Sequence, residues 1–410
     1  MNTLNFENRI ATTKNILINL SNINNASGDL QYLVDNFCGT VVKNMLEIPN
    51  DNSELRIYAI GDIKQIEKEE RGILVISDFS INYEGLIKAN FKIVKLGQVP
   101  INIHNSGVYY RELFTGENYF SKIKAEHTFQ YLTEGNKDTK ALRKGIYLTK
   151  VVKDEKERNK EQFHFRLLRC STNLTGPTDN FRNTDTAIVN TLNEAVKFDF
   201  EKETELNHVL AQIYENKKKD EVNAKDVKAK IGAHSDKTKD MPKEGLIAFC
   251  TFYDNVNFEN LEPSKTDRFD WCYKKSSGLT RLHFKLKKTV SNDSLEKEFS
   301  VTLYPNSVFL IPLSTNRLYT HEIRPSVLNV DKIPVRMGYV IRCSNLEALY
   351  VNKETYIKEK GKLVKLEEMT NATMDNLRDS YYKENKLETV VDYGKVHFSM
   401  NSGDYKKPIY

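Results

Sequence analysis

The chain has 410 residues, 39% hydrophobic, 10% aromatic and 29% charged, with only 10 prolines: the composition of a folded soluble protein with one large core or two to three domains, which excludes a mainly disordered chain. Its net charge of +5, from 61 basic and 56 acidic residues, is too mild at this length to mark a nucleic-acid binder by itself. No apolar run approaches the roughly 18 residues of a membrane helix, and the first residues show neither a signal-peptide nor a transit pattern, so an intracellular protein, cytoplasmic or nuclear and not membrane-bound, is expected.

Residues 1–50 read as amphipathic helix, because "NILINLSNI" and "LQYLVDNFCGTVVKNML" place apolar residues near i, i+3 and i+4. Residues 55–98 change to short β-branched runs ("ELRIYAIG", "GILVISDFSIN", "ANFKIVKLG") separated by turns, which predicts a small sheet or meander. A turn-rich piece at 99–106 marks a boundary, and 107–134 resume a helical period. "GIYLTKVV" and "FHFRLLRC" read as strands around the charged hairpin "KDEKERNKEQ". "STNLTGPTDNFRNTD" is a long polar loop, and "TDTAIVNTLNEAVKFDF" a helix. From 204 to 345 strands dominate, among them "LNHVLAQIY", "GLIAFCTFYD", "TRLHFKLKK", "EFSVTLYPNSVFLIP", "RLYTHEI" and "RMGYVIRCS", which favours a β-sandwich or barrel. The tail holds one helix, "KLEEMTNATMDNLRDSYYKE", and a short strand-like end. Five widely spaced cysteines without a C-x-x-C pair argue for reduced thiols and against zinc-ribbon chemistry.

Four features of the β-rich region line up. His234-x-Asp236 lies between a lysine-rich run and an apolar strand. His321 follows Asp236 by 85 residues, and Arg336 and Arg342 follow His321 by 15 and 21. Tyr214 ends the strand that leads into the lysine run. Each alone has an ordinary explanation: a solvated loop, a hydrogen-bonded histidine, a charged strand face. Together they suit oxygen activation at non-haem iron, where two imidazoles and a carboxylate take one face of Fe(II) and leave three positions open. Residues two apart at a strand end reach one ion if the chain turns there, and Gly232 and Pro242 permit turning. The third ligand must come from a distant strand. A guanidinium then matches the far carboxylate of a bound 2-oxo diacid, and Arg336 and Arg342, six apart, share one strand face.

These residues resemble the AlkB-like branch of the 2-oxoglutarate/Fe(II)-dependent dioxygenases. "LNHVLAQIYEN" resembles that branch's N-x-x-L-x-N-x-Y strand, with Tyr214 on the tyrosine and Gln212 where asparagine is usual. "IGAHSDKTKD" resembles the metal-binding turn, and "NSVFLIPLSTNRLYTHEIRP" the segment ending in R-x-x-x-H, with Arg317 four before His321. "RMGYVIR" matches the closing R-x(5)-R pair, with Gly338 where a polar residue often stands. The resemblance covers about 204–345 and implies an α+β chain: a double-stranded β-helix (jelly-roll) core with flanking helices, within a catalytic domain at 101–350. An N-terminal α+β extension (1–100) and a C-terminal helical tail (351–410) complete the expected organisation. It further implies that His234, Asp236 and His321 bind Fe(II) and are the catalytic set. Gln212, Tyr214 and Arg336 would hold the co-substrate 2-oxoglutarate, with Arg342 near its metal-binding end and O2 as oxidant. The expected reaction is hydroxylation or oxidative demethylation.

For the substrate, six lysines between 217 and 230 and the basic strand "RLHFKLKK" point to DNA or RNA, since lysines neutralise phosphates and aromatics stack an extruded base. Interspersed acids leave a solvated loop as the plain alternative. A hydroxylase of a protein side chain or small metabolite, and a non-catalytic binding module, remain the other readings.

Overall fold

The computed structural model describes residues 7–21, 28–49, 54–66, 72–84, 91–134, 137–154, 161–169, 174–219 and 225–410. Part of the charged hairpin (155–160), Cys170 with the start of the polar loop (170–173), and residues 220–224 of the lysine run lie outside the described residues. The fold is mixed α+β. Among the described residues no helix is long and apolar enough to cross a membrane.

The N-terminal unit departs from expectation. "NILINL" is a strand, β1 (Asn15–Leu20), followed by α1 (Gly28–Asn36), β2 (Thr40–Val42), β3 (Arg56–Asp62), β4 (Ile73–Ile81) and β5 (Phe91–Val94). They form one sheet in the order β2-β1-β3-β4-β5, and every pairing is parallel, so this is no meander. A central parallel strand is buried on both faces and reads as a continuous apolar run, which helical spacing mimics over six residues. Ile16 and Ile18 face one cluster, and Leu17 faces another together with Leu30 and Leu33 of α1.

The expected boundary and helix at 99–134 resolve into β6 (Ile101–Ile103), β7 (Gly107–Tyr110), one short helix α2 (Tyr119–Glu126) and β8 (Gln130–Glu134). "GVYY" is a strand because its two tyrosines pack on opposite faces, Tyr110 into one core and Tyr109 into the other. Next come β9 (Lys137–Thr149), β10 (Val152–Asp154), β11 (Gln162–Leu167), β12 (Asp179–Asn180) and α3 (Asn183–Asp199). The β-rich region follows, with β13 (His208–Tyr214), β14 (Ile231–His234), β15 (Leu246–Tyr253), three short strands β16 (Glu262–Pro263), β17 (Trp271–Tyr273) and β18 (Ser276–Ser277), then β19 (Arg281–Leu286) and β20 (Glu298–Thr302). It closes with β21 (Val308–Pro312), a helical turn α4 (Leu313–Leu318), β22 (Tyr319–Arg324) and β23 (Arg336–Arg342). The tail is not only helical: β24 (Leu346–Val351), β25 (Glu354–Glu359) and β26 (Lys362–Lys365) join β10 and β11 in a five-stranded sheet before α5 (Asn371–Lys386).

Two sheets frame the site. One contains β13-β23-β15-β21 in that order, extended by β7 and β6 on one edge and by β9 and β12 on the other. The second is β14-β22-β19-β20. Within both four-strand sets every pairing is antiparallel. Strand alternation divides the side chains: Val209, Ala211, Ile213, Ala248, Met337, Tyr339 and Ile341 pack against α3, while Ile247, Phe249, Phe309 and Ile311 meet Leu282, Phe284, Phe299 and Tyr319 of the second sheet.

Candidate metal centre and cavity

The register of β14 on β22 places His234 directly opposite His321, and the chain turns after His234 to deliver Asp236. The ligating atoms of His234, Asp236 and His321 lie within 4.8 Å of one another. Asp236 Oδ1 is 3.4 Å from His234 Nε2 and 3.7 Å from His321 Nε2. His234 Nδ1 donates to the Gly232 carbonyl at 2.9 Å, which leaves the Nε2 lone pair turned toward Asp236. His321 is buried between Phe249 and Phe284, and its Nδ1 has no hydrogen-bond partner, so Nε2 is its polar outlet.

Electrostatics suits these groups to a cation. Burial opposes the charge on Asp236, but Arg342, whose Nε and Nη2 donate to Oδ2 at 2.8 and 2.6 Å, and then the two histidines hold its carboxyl well below the usual range. Burial, and then His234, push His321 from 6.5 down to about 3, so it is neutral at pH 7. Two imidazole lone pairs and an ionised carboxylate converging on one space form the donor set of a divalent transition metal. The residues present therefore fit Fe(II).

One cavity of about 230 Å³ is lined by His234, Asp236, His321, Gln212, Tyr214, Arg336 and Arg342, so all seven predicted site residues come together. Gln212 and Tyr214 alternate on β13, and Arg336, Gly338, Val340 and Arg342 on β23, each set turned inward. Arg336 lies with its guanidinium 4.0 Å from the centre of the Tyr214 ring. It is only 5% exposed, and its Nη2 has no hydrogen-bond partner. Among the described residues no carboxylate pairs with it. A buried unpaired guanidinium is costly, and an anion filling the cavity removes that cost. Tyr214 in turn donates its hydroxyl to Gln212 Oε1 at 3.1 Å.

Asn316 behind the turn, and Arg143, Lys237 and Asn385 in the wall, escaped the sequence reading, and Gly338, noted there only as a departure from the motif, has a steric role. A Cβ at Gly338 would stand 3.0 Å from Arg336 Nη1 and 3.2 Å from Tyr214 Cε2, so glycine is what lets the guanidinium lie there. Asn316 accepts from the Asp236 N–H at 2.8 Å and donates to its carbonyl at 2.9 Å, pinning the turn to α4. Arg143, Lys237 and Asn385 complete the wall. Two residues of the motif reading lie elsewhere. Arg317 pairs with Glu7 (Nη2 to Oε2, 2.6 Å), and Tyr339 turns to the α3 side and donates to Asp185 at 2.6 Å. A second group, Glu126, His127 and Asp185, has metal-like spacing. Both nitrogens of His127 are occupied there, by Asp179 at 2.8 Å and Asp185 at 2.7 Å, the arrangement of a buried imidazolium between carboxylates.

No protein-family model matches the chain, and no curated protein matches it. Among solved structures the chain is similar to that of OsALKBH1, with a TM-score of 0.31 and 12% identity, covering 58% of this chain and 96% of that one. It is also similar to the selenomethionine-labelled Fe(II)/(alpha)ketoglutarate-dependent dioxygenase TqaL, with a TM-score of 0.23 and 8% identity, covering 62% of this chain and 80% of that one. At these TM-scores the likeness carries no argument, and the chemistry follows from the cavity's own residues.

Proposed function

We propose that this chain is an AlkB-like, 2-oxoglutarate- and Fe(II)-dependent dioxygenase that hydroxylates or oxidatively demethylates a modified nucleobase in nucleic acid. The observation that carries the reading is the single cavity holding both a His-Asp-His donor set and a buried guanidinium without a counter-charge. His234, Asp236 and His321 would hold the metal, Arg342 keeps Asp236 ionised and oriented, and Arg336 over Tyr214 would take the far carboxylate of 2-oxoglutarate. Bound there, Fe(II) with 2-oxoglutarate and O2 supplies the oxidising chemistry, with succinate and CO2 as co-products. The sheet orders β13-β23-β15-β21 and β14-β22-β19-β20 support a double-stranded β-helix core.

Charge around the cavity supports a polyanionic substrate. Lys217, Lys218, Lys219, Lys225 and Lys230 are exposed on the segment joining Tyr214 to Ile231, both of which line the cavity. Lys217 and Val227 exchange backbone hydrogen bonds of 2.8 Å, which bring these two described parts of the segment together. Arg143 adds a guanidinium in the wall with no carboxylate partner among the described residues. Fe(II)-dependent succinate release, screened against methylated oligonucleotides, peptides and nucleosides, tests the reading. Turnover on oligonucleotides that falls with added salt is the expected result. Turnover on peptides or small molecules alone overturns the substrate, and no turnover of 2-oxoglutarate under any condition overturns the enzyme.

A further inference from the structure

The C-terminal helix α5 is more than an appendage. Its buried residues are Leu377, Tyr381 and Glu384, a single stripe at i, i+4 and i+7 with two apolar side chains. So little apolar area docks a 16-residue helix weakly, and the polar contacts decide where it sits. Those contacts converge on the metal turn. The Ser235 N–H donates to Asn385 Oδ1 at 2.7 Å, and Asn385 is fixed in turn by donating from Nδ2 to the Tyr381 carbonyl at 2.9 Å. The Thr238 N–H donates to Glu384 at 3.1 Å, and the Thr238 hydroxyl and the Tyr393 hydroxyl donate to the same carboxylate. Lys237 Nζ lies 4.1 Å from the centre of the Tyr381 ring. Of residues 235–238, only Asp236 is left without a contact to α5 or its flank, and Asp236 is the ligand.

The helix is anchored from the other side as well. Lys287, buried just past the end of β19, donates from Nζ to the carbonyls of Glu384 and Leu387 at 2.7 and 3.0 Å, closing the helix C-terminus with a cation. Arg169 holds Asp240, at the far end of the metal turn, with bonds of 2.7–3.0 Å. The same guanidinium donates to the carbonyls of Val396 and Phe398, beyond α5, at 2.7 and 2.9 Å. The turn is thus bracketed by the C-terminal segment at both ends.

We infer that α5 is a positioning element of the metal centre: Asn385 and Glu384 hold Ser235 and Thr238 so that Asp236 faces the two histidines, and metal binding and helix docking strengthen each other. This rests on the metal reading above. Linkage makes the coupling reciprocal, so whatever loosens α5 weakens the metal, and the metal tightens α5. Partners that orient a ligand are worth about 10–100-fold in metal affinity.

The test takes the full chain, stripped of metal, and titrates it with Co(II) alone, read by calorimetry and by the Co(II) ligand-field absorption. Asn385→Ala and Glu384→Ala each weaken Co(II) binding about tenfold or more and alter the ligand-field band. In the wild-type chain, amide hydrogen exchange across 371–386 slows when Co(II) binds. Unchanged Co(II) affinity in both alanine variants, or α5 exchange indifferent to Co(II), overturns the coupling and leaves the metal centre standing. A wild-type chain that binds no Co(II) overturns the metal centre, and the coupling with it.

Discussion

Replacing Arg336 by methionine removes one charge and keeps most of the side-chain volume. In the co-substrate-free protein that charge is buried, has no carboxylate partner among the described residues, and is offset chiefly by the Tyr214 face 4.0 Å away. A desolvated cation over an aromatic ring is worth about 2 kcal/mol, and the burial of an unpaired charge costs at least as much. Arg336→Met therefore leaves the co-substrate-free chain about as stable as the wild type, or more so. With 2-oxoglutarate the sign reverses, because a carboxylate is left without its guanidinium. Breaking one side of a buried pair costs about 3–5 kcal/mol, which is about 10²–10³-fold or more in Kd. The wild-type chain with co-substrate at a hundred times its Kd gains about 2.7 kcal/mol of stability, and the variant at the same concentration gains less than about 0.5 kcal/mol. Calorimetric titration of 2-oxoglutarate into the Co(II)-loaded chain measures the first quantity, and urea unfolding with and without co-substrate the second. A Kd unchanged in Arg336→Met removes Arg336 from the co-substrate site. A large loss of stability without co-substrate makes it a scaffold residue instead.

Other substitutions separate ligand from scaffold. Asp236→Ala abolishes Co(II) binding and also takes from the buried Arg342 the carboxylate that its Nε and Nη2 both donate to, so it costs about 3–5 kcal/mol in urea unfolding. His234→Ala abolishes Co(II) binding with a much smaller loss, since its side chain is 35% exposed; Co(II) binding retained in both variants would remove the triad. Gly338→Ala crowds Arg336 at 3.0 Å and weakens 2-oxoglutarate about tenfold while Co(II) affinity stays the same, which the same titrations check. His127 is one source of pH-dependent stability that a single substitution can isolate. Burial lowers its pKa, but the hydrogen bonds it donates to Asp179 and Asp185 prevail and raise the pKa from 6.5 to about 9. The folded state thus binds this proton more tightly than the unfolded chain. Its contribution, roughly 3 kcal/mol, is fully present below pH 6.5 and is lost as pH rises through 9. The stability the wild type holds over His127→Gln, from urea unfolding between pH 6 and 10, shrinks as pH rises through 9, and a difference that stays constant refutes the assignment.

That His234, Asp236 and His321 converge with Arg336 and Arg342 on one cavity was legible because strand geometry turns spacing into direction. Residues at even separations on β13 and β23 must share a face, and antiparallel pairing of β14 with β22 sets His234 against His321 without further information. The N-terminal sheet was not legible for the opposite reason. "NILINL" is buried on both faces, with apolar residues at both odd and even positions, so it carries no clear period to distinguish a strand from a helix. Asn316 and Asn385 were invisible as well. Each grips through its side-chain amide a turn 80 or 150 residues away in sequence, and an isolated asparagine leaves no pattern.

The two positions where the chain departs from the motif it resembles belong to one arrangement. Gln212 stands where asparagine is usual, and its Oε1 takes the Tyr214 hydroxyl at 3.1 Å, fixing the ring at its polar end. Gly338 stands where a polar residue is usual, and the space it leaves is filled by Arg336, stacked on the face of the same ring. Tyr214 is thereby held at its tip and along its face, and it sets the depth of the guanidinium in the cavity. The departures substitute a ring-and-arginine cradle for a side chain on β23, so Gln212 and Gly338 are coupled through Tyr214. A double-mutant cycle of Gln212→Ala with Gly338→Ala, read as 2-oxoglutarate affinity, is therefore non-additive by about 0.5–3 kcal/mol, the range for residues that share a partner. Strict additivity would separate them and leave Gly338 with a purely local role.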